Sequence, residues 1–121
     1  MVSIVMTVYN VGEWLEKAIS SCLGQTYRDI ELVLVEDCSS DNSLDIIEEY
    51  LAKDERIRLV KNAENLGAGA SRRVGIEHAR GEFVITVDGD DYISDDYIEA
   101  LVRRQAETGA DIVGGAIPLA Y

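Results

Sequence analysis

Long apolar runs are missing from this 121-residue chain. The most continuous ones, Leu32 to Val35 and Val84 to Val87, are broken by charge far short of the roughly 18 residues that a membrane span needs. No segment is therefore expected to cross a bilayer. Basic residues are also scarce: 23 acidic side chains face 11 basic ones, giving a net charge of −12. That balance removes the electrostatic drive towards nucleic acid or an anionic membrane and favours cations as partners. Only two cysteines occur, Cys22 and Cys38, without metal-ligand spacing; they are expected to be buried reduced thiols rather than a disulfide. The one histidine, His78, lies in a helical stretch without partners and reads as a surface or packing residue. No basic and apolar leader precedes the strand-like Val2-Ser3-Ile4-Val5-Met6, so a cytoplasmic location is expected. The turn Tyr9-Asn10-Val11-Gly12 lacks the glycine-rich fingerprint of dinucleotide enzymes.

What is present is a regular alternation. Val2 to Tyr9, Ile30 to Glu36 and Glu82 to Val87 are short, rich in Val and Ile, and bounded by Asn, Asp, Ser and Gly, as strands buried on both faces are. Ile57 to Val60 and Asp111 to Val113 are weaker strand candidates. Trp14, Leu15, Ala18, Ile19, Cys22 and Leu23 form an apolar helical stripe; Leu44, Ile47 and Leu51 form a second, after Ser39-Ser40-Asp41-Asn42. Tyr97, Ile98, Leu101 and Val102 form a third, with Ser94 as the expected cap and Asp95 and Asp96 at the positive helix end. Ala68 to Ala79 reads as a poorer helix, weakened by Gly69 and Gly75. Five strands alternating with four helices predict one α/β domain: three α/β/α layers around a mostly parallel sheet, with ligands beyond the C-terminal strand ends.

That rule gathers Thr7, Tyr9, Asn10, Glu36, Asp37, Asp88, Asp90 and Asp91 on one edge. Carboxylates brought together repel one another unless a cation neutralises them, and Mg²⁺ or Mn²⁺, completed by water and phosphate oxygens, suits such a cluster. The competing reading is an acidic turn, solvated or capping the following helix. Thr7 has the competing reading of simple β-propensity, Tyr9 that of core packing, and Arg72 that of a solvated helix face.

Four ordered blocks carry a resemblance that favours the first reading. They are Val2 to Asn10; Gln25-Thr26-Tyr27 with Glu31 to Asp37; Asn65-Leu66-Gly67 with Ser71-Arg72 and Gly75; and Gly81-Glu82-Phe83 with Asp88-Gly89-Asp90-Asp91. In these the chain resembles family 2 of the glycosyltransferases with the GT-A fold, a Rossmann-like nucleotide-diphospho-sugar transferase fold. The resemblance implies a single donor-binding domain over residues 1–121, truncated before the acceptor-binding part that supplies the catalytic base. It implies inverting transfer of a sugar from a nucleotide-diphosphate donor, a UDP-sugar, to a hydroxyl of a carbohydrate or glycoconjugate, dependent on Mn²⁺ or Mg²⁺. A longer form would work at the cytoplasmic face of a membrane.

Carried over residue by residue, the resemblance puts Thr7 and Tyr9 in the nucleotide pocket, Asp37 on a uracil-type base edge and Asp88 at the ribose. Asp90 then binds the metal with Asp91 as a second candidate, and Arg72 meets the phosphates. Two positions depart from the family pattern: Arg73 stands beside Arg72 where asparagine is usual, and Cys38 stands where glycine is common, which bears on the angles of that loop. Asp95, Asp96 and Glu99 read as a helix start, leaving no candidate base. The exposed edge of a truncated sheet suggests a homodimer. The rival functions are a noncatalytic interaction module that kept the fold, and a phosphoacceptor signalling domain, for which Thr86 is the sole hydroxyl on offer near the acids.

Overall fold

The computed structural model describes residues 1–109 and 117–118. Four parallel strands, β1 (Val2–Val8), β2 (Ile30–Glu36), β3 (Ile57–Lys61) and β4 (Phe83–Asp88), carry a short antiparallel fifth, β5 (Ile117–Pro118), in the order β3-β2-β1-β4-β5. The expected strand over Asp111 to Val113 lies outside the described residues. Helices α1 (Gly12–Leu23), α2 (Ser43–Leu51), α3 (Ala68–His78) and α4 (Tyr97–Thr108) alternate with the strands as the sequence predicts. Among the described residues no helix is long and apolar enough to cross a membrane.

Strand alternation divides the core in two. Val2, Ile4, Met6 and Val8 of β1, with Ile30, Leu32 and Leu34 of β2, face a core closed by Leu15 and Ile19 of α1, Ile47 of α2, and Ile98 and Leu101 of α4. Val5, Val33, Val35 and Val84 point to the other face, where Val74 and Ile76 of α3 cover them. The result is the expected three-layer α/β/α arrangement. Gly75 lets α3 lie close: a Cβ there would fall 2.3 Å from Val5 Cγ1 and 3.0 Å from Val35 Cγ2. The glycine that weakens the helix in isolation is thus the residue that lets it dock.

Four local expectations are corrected. The buried face of α2 consists of Ser43 and Ile47 with Ile46 and Tyr50 beside them, and Leu51 is exposed. Ile46 and Tyr50 pack against the core on this face, and the Tyr50 hydroxyl also shares a hydrogen bond of 2.9 Å with Ser20 Oγ of α1. Trp14 is half exposed, at the flank of the buried stripe of Leu15, Ala18, Ile19 and Cys22. Ser94 does not cap α4: its carbonyl accepts Tyr97 N–H at 3.2 Å, the N-cap position belongs to Asp96, and the Ile98 N–H is taken by the buried Gln25 Oε1 at 2.9 Å. Both cysteines are free thiols as expected, but only Cys22 is buried, and burial pushes its thiol up to about 12; Cys38 is exposed.

Candidate active site

The order β3-β2-β1-β4 reverses direction at β1, so the chain leaves β1 to one side for β2 and arrives on the other as β4. A crevice opens at such a switch point beyond the strand ends. The acidic turn stands there. Thr7 pairs with Asp88 in the ladder, and Gly89 N–H donates to Thr7 O at 2.9 Å, continuing the pairing one residue further. Asp91 N–H then donates to Asp88 O at 2.9 Å and closes a tight turn. A side chain at position 89 would meet Val11 Cγ2 at 2.8 Å and Thr7 O at 2.9 Å, so only glycine allows the turn to press against β1 and the start of α1.

The turn presents Asp88, Asp90 and Asp91 together, with one carboxylate oxygen of each within 4.8 Å of the others and all three exposed. Hard, ionised oxygen donors at this spacing fit a hard divalent ion such as Mg²⁺ or Mn²⁺. Thr7 Oγ1 donates to Asp88 Oδ1 at 3.3 Å, and Arg72 Nη2 of α3 reaches the same oxygen at 3.4 Å. Thr7, Asp88 and Arg72 therefore meet, because odd residues of β1 and even residues of β4 share the face that α3 covers.

Thr7 also lines a cleft of about 210 Å³ together with Val8, Tyr9, Asp37, Asn65, Gly67, Ala68 and Ser71. Tyr9 is half exposed at its mouth, and the N-terminal end of α3 opens onto it. Asp37, at the end of β2, is buried. Its Oδ1 accepts Leu66 N–H at 2.7 Å and Asn62 Nδ2 at 2.9 Å, and its Oδ2 accepts Gly67 N–H at 2.9 Å. Burial alone would push this carboxyl up, but the Leu66, Asn62, Gly67 and Ser71 donors outweigh it and hold the group below the ordinary carboxylate range. Asp37 thus shapes the loop from Asn62 to Gly67 that walls the cleft, a task that no local sequence signal marks.

A family model, glycosyl transferase family 2, matches residues 3–121. The chain belongs to glycosyl transferase family 2. It is 36% identical over 115 residues to glycosyltransferase GlyG of Streptococcus pneumoniae, covering 95% of this chain and 38% of that relative. It is 42% identical over 114 residues to the uncharacterized glycosyltransferase EpsJ of Bacillus subtilis, covering 94% and 33%. The chain therefore spans less than half the length of these curated relatives. Among solved structures, residues 1–349 of S. aureus TarS in complex with UDP-GlcNAc superpose with a TM-score of 0.85 at 31% identity, covering 91% of this chain and 32% of that 1–349 chain. The mannosyltransferase PcManGT of Pyrobaculum calidifontis, in complex with GDP-Man and Mn²⁺, shares the fold with a TM-score of 0.80 at 22% identity, covering 88% and 32%.

The remaining ties of this family 2 site join segments far apart in sequence. Asn10, at φ 51°, accepts Ser40 N–H at 2.7 Å through its Oδ1, binding the loop after β1 to the loop after β2. Asp41 Oδ2 accepts Gly12 N–H at 2.9 Å, so the free N–H at the start of α1 is capped from another loop. Glu36 accepts Ser39 N–H at 2.8 Å and Cys38 N–H at 3.2 Å. Cys38 adopts the left-handed conformation, φ 63°, with its thiol on Asn62 O at 3.3 Å. Beyond the acidic turn, Ile93 N–H donates to Ser21 Oγ at 3.2 Å, and Gln25 Nε2 donates to Ser94 O at 2.6 Å. Gln25-Thr26-Tyr27 thus anchors the segment that follows the acids. His78 is exposed, with Nδ1 2.9 Å from Val74 O, in keeping with a surface role.

Proposed function

We propose that this chain is the donor-binding half of an inverting glycosyltransferase that moves a sugar from a UDP-sugar to a hydroxyl of a carbohydrate or glycoconjugate acceptor, with a divalent metal ion. The observation that carries the reading is the cluster of Asp88, Asp90 and Asp91 at the switch point, sharing Thr7 with the cleft beside it. UDP and UDP-GlcNAc, the ligands of TarS at 30% and 31% identity, support a uridine donor.

In this reading Tyr9 stacks on the base at the mouth of the cleft, where an aromatic ring keeps one face for a ligand and its hydroxyl wet. Asp37 would meet a base N–H through Oδ2, the oxygen that also accepts Gly67 N–H, whereas Oδ1 is taken up by Leu66 and Asn62. Asp88 faces the ribose. Asp90, with Asp91 beside it, would hold Mn²⁺ or Mg²⁺, whose chemistry when bound is Lewis-acid stabilisation of charge on the leaving diphosphate. Arg72 complements what charge remains on the diphosphate, as a guanidinium suits phosphate oxygens. Thr7 orients Asp88. The base that deprotonates the acceptor belongs to sequence outside this chain.

Calorimetric titration of UDP into the protein tests the reading. Binding is expected with Mn²⁺, and is expected to disappear in EDTA and in Asp90→Ala. A folded protein that takes no UDP under any of these conditions would refute it.

A further inference from the structure

Among the described residues, Arg72 is the one side-chain cation within ion-pair distance of the acidic turn. Its Nη2 lies 3.4 Å from Asp88 Oδ1, the oxygen that Thr7 Oγ1 also approaches at 3.3 Å. Asp90 and Asp91 have no hydrogen-bonded or ionic side-chain partner among the described residues. One positive charge therefore sits at the edge of three negative ones, on Asp88, whose Oδ1 also meets the cleft residue Thr7. The pair is weakly held, with side chains 39% and 50% exposed, and a pair of that kind can be given up at small cost.

We propose that Arg72 is an exchangeable counter-ion: it rests on Asp88 while the site is empty and transfers to the donor diphosphate when the nucleotide enters. The inference rests on the donor-binding reading above and adds to it an order of events. Arg72 opposes a cation that arrives alone, because its guanidinium, held on Asp88 beside Asp90 and Asp91, offsets part of the field that draws the ion in. When the cation arrives with a diphosphate, Arg72 has a better acceptor and releases Asp88. The residue that weakens metal binding in the empty site strengthens nucleotide binding in the filled one, and so couples the two ligands.

The coupling predicts a change of sign that no purely structural role for Arg72 would give. In Arg72→Gln, Mn²⁺ alone should bind about two- to fivefold more tightly than in the unaltered chain, the worth of losing one exposed ion pair. UDP, titrated at saturating Mn²⁺, should bind at least about tenfold more weakly, the worth of a charge-assisted contact. Free Mn²⁺ counted by its electron paramagnetic resonance signal gives the first quantity and calorimetry the second; circular dichroism confirms that each variant is folded. Arg72→Lys, which keeps the charge, should leave Mn²⁺ affinity near that of the unaltered chain. Arg73→Gln, exposed and one residue along, removes the same net charge and should change Mn²⁺ affinity less than Arg72→Gln. Unchanged or weaker Mn²⁺ binding in Arg72→Gln would overturn the resting pair, and unchanged UDP binding would overturn the transfer. An unaltered chain that takes UDP while Arg72→Gln behaves in either of those ways leaves the donor reading standing without the exchange; one that takes no UDP removes both.

Discussion

One face of the sheet carries a carboxylate group at each end, and the two are built in opposite ways. At the N-terminal end, Glu31 is buried and saturated: Ser3 Oγ donates at 2.5 Å, Arg80 N–H at 2.6 Å and Arg58 Nη1 at 3.0 Å. Ser3 Oγ in turn accepts Gly81 N–H at 2.8 Å, and Arg58 also binds His78 O at 2.7 Å. Burial would push the Glu31 carboxyl up, but Ser3, Arg80 and Arg58 outweigh it and hold it below the ordinary glutamate value. At the C-terminal end, three aspartates stand in the open with one arginine and one threonine between them. The same residue chemistry locks α3 and β4 into place at one end and leaves charge available at the other. Buried carboxylates that are fully satisfied hold structure; exposed ones left short of partners are where a ligand gains most.

That contrast can be broken most forcefully at Glu31. Glu31→Ala strands Arg58 and the Arg80 N–H and should lower stability by about 3 kcal/mol in urea denaturation, while the protein that remains folded binds UDP with Mn²⁺ normally. Its ionisation also sets a pH dependence. A carboxyl whose pKa is lower folded than unfolded contributes stability that is fully present above the unfolded value, about 4.3 for glutamate, and is lost as pH falls through the folded one. Denaturation midpoints of the unaltered chain should therefore fall below about pH 4, and more steeply than those of Glu31→Gln.

A matched pair of glycines sharpens the comparison. A Cβ at Gly81 would sit 2.6 Å from Met1 O, and one at Gly89 would sit 2.9 Å from Thr7 O. Alanine at either should cost about 1–3 kcal/mol through overpacking. Thermal melts should show both losses, but only Gly89→Ala, which displaces the acidic turn, should also weaken UDP binding in calorimetry. The smallest effect is expected at Cys38, held at φ 63°. Cys38→Gly should raise stability by roughly 0.5–1 kcal/mol, because glycine takes that angle without the Cβ penalty although it loses more chain entropy on folding. Equal or lower stability in urea would show that the thiol contact with Asn62 outweighs the strain.

The two ends also differ in how far the sequence discloses them. The acidic turn is local: Asp88-Gly89-Asp90-Asp91 is contiguous, follows an apolar strand, and the switch-point rule places it. The strands of the sheet are legible for the same reason, since alternation and bounding turns are short-range signals. The Glu31 lock is not, because Ser3, Arg58 and Arg80 lie 27 residues or more from Glu31 in the chain and meet it only once the sheet has formed. Asp37 shows both cases in one residue: its place at a strand end was readable, its hold on Leu66 and Gly67 was not. Gln25 and Asp41 escaped for a further reason, since helix caps are sought in the residue just before a helix and these two act from another segment. On α2, three apolar residues at helical spacing did not fix which face is buried, because Ile46 and Tyr50 offer an overlapping apolar face and it is this one that packs on the core.

The claim that ligand chemistry belongs to one end of this face and structure to the other can be tested on a single ¹⁵N-labelled sample. Mn²⁺ added at low stoichiometry broadens amide signals near its binding site. The account predicts early loss of the Gly89, Asp90 and Asp91 signals, with Ser3, Glu31 and Gly81 still sharp. Early broadening around Glu31, or loss spread evenly over the acidic surface, would contradict it.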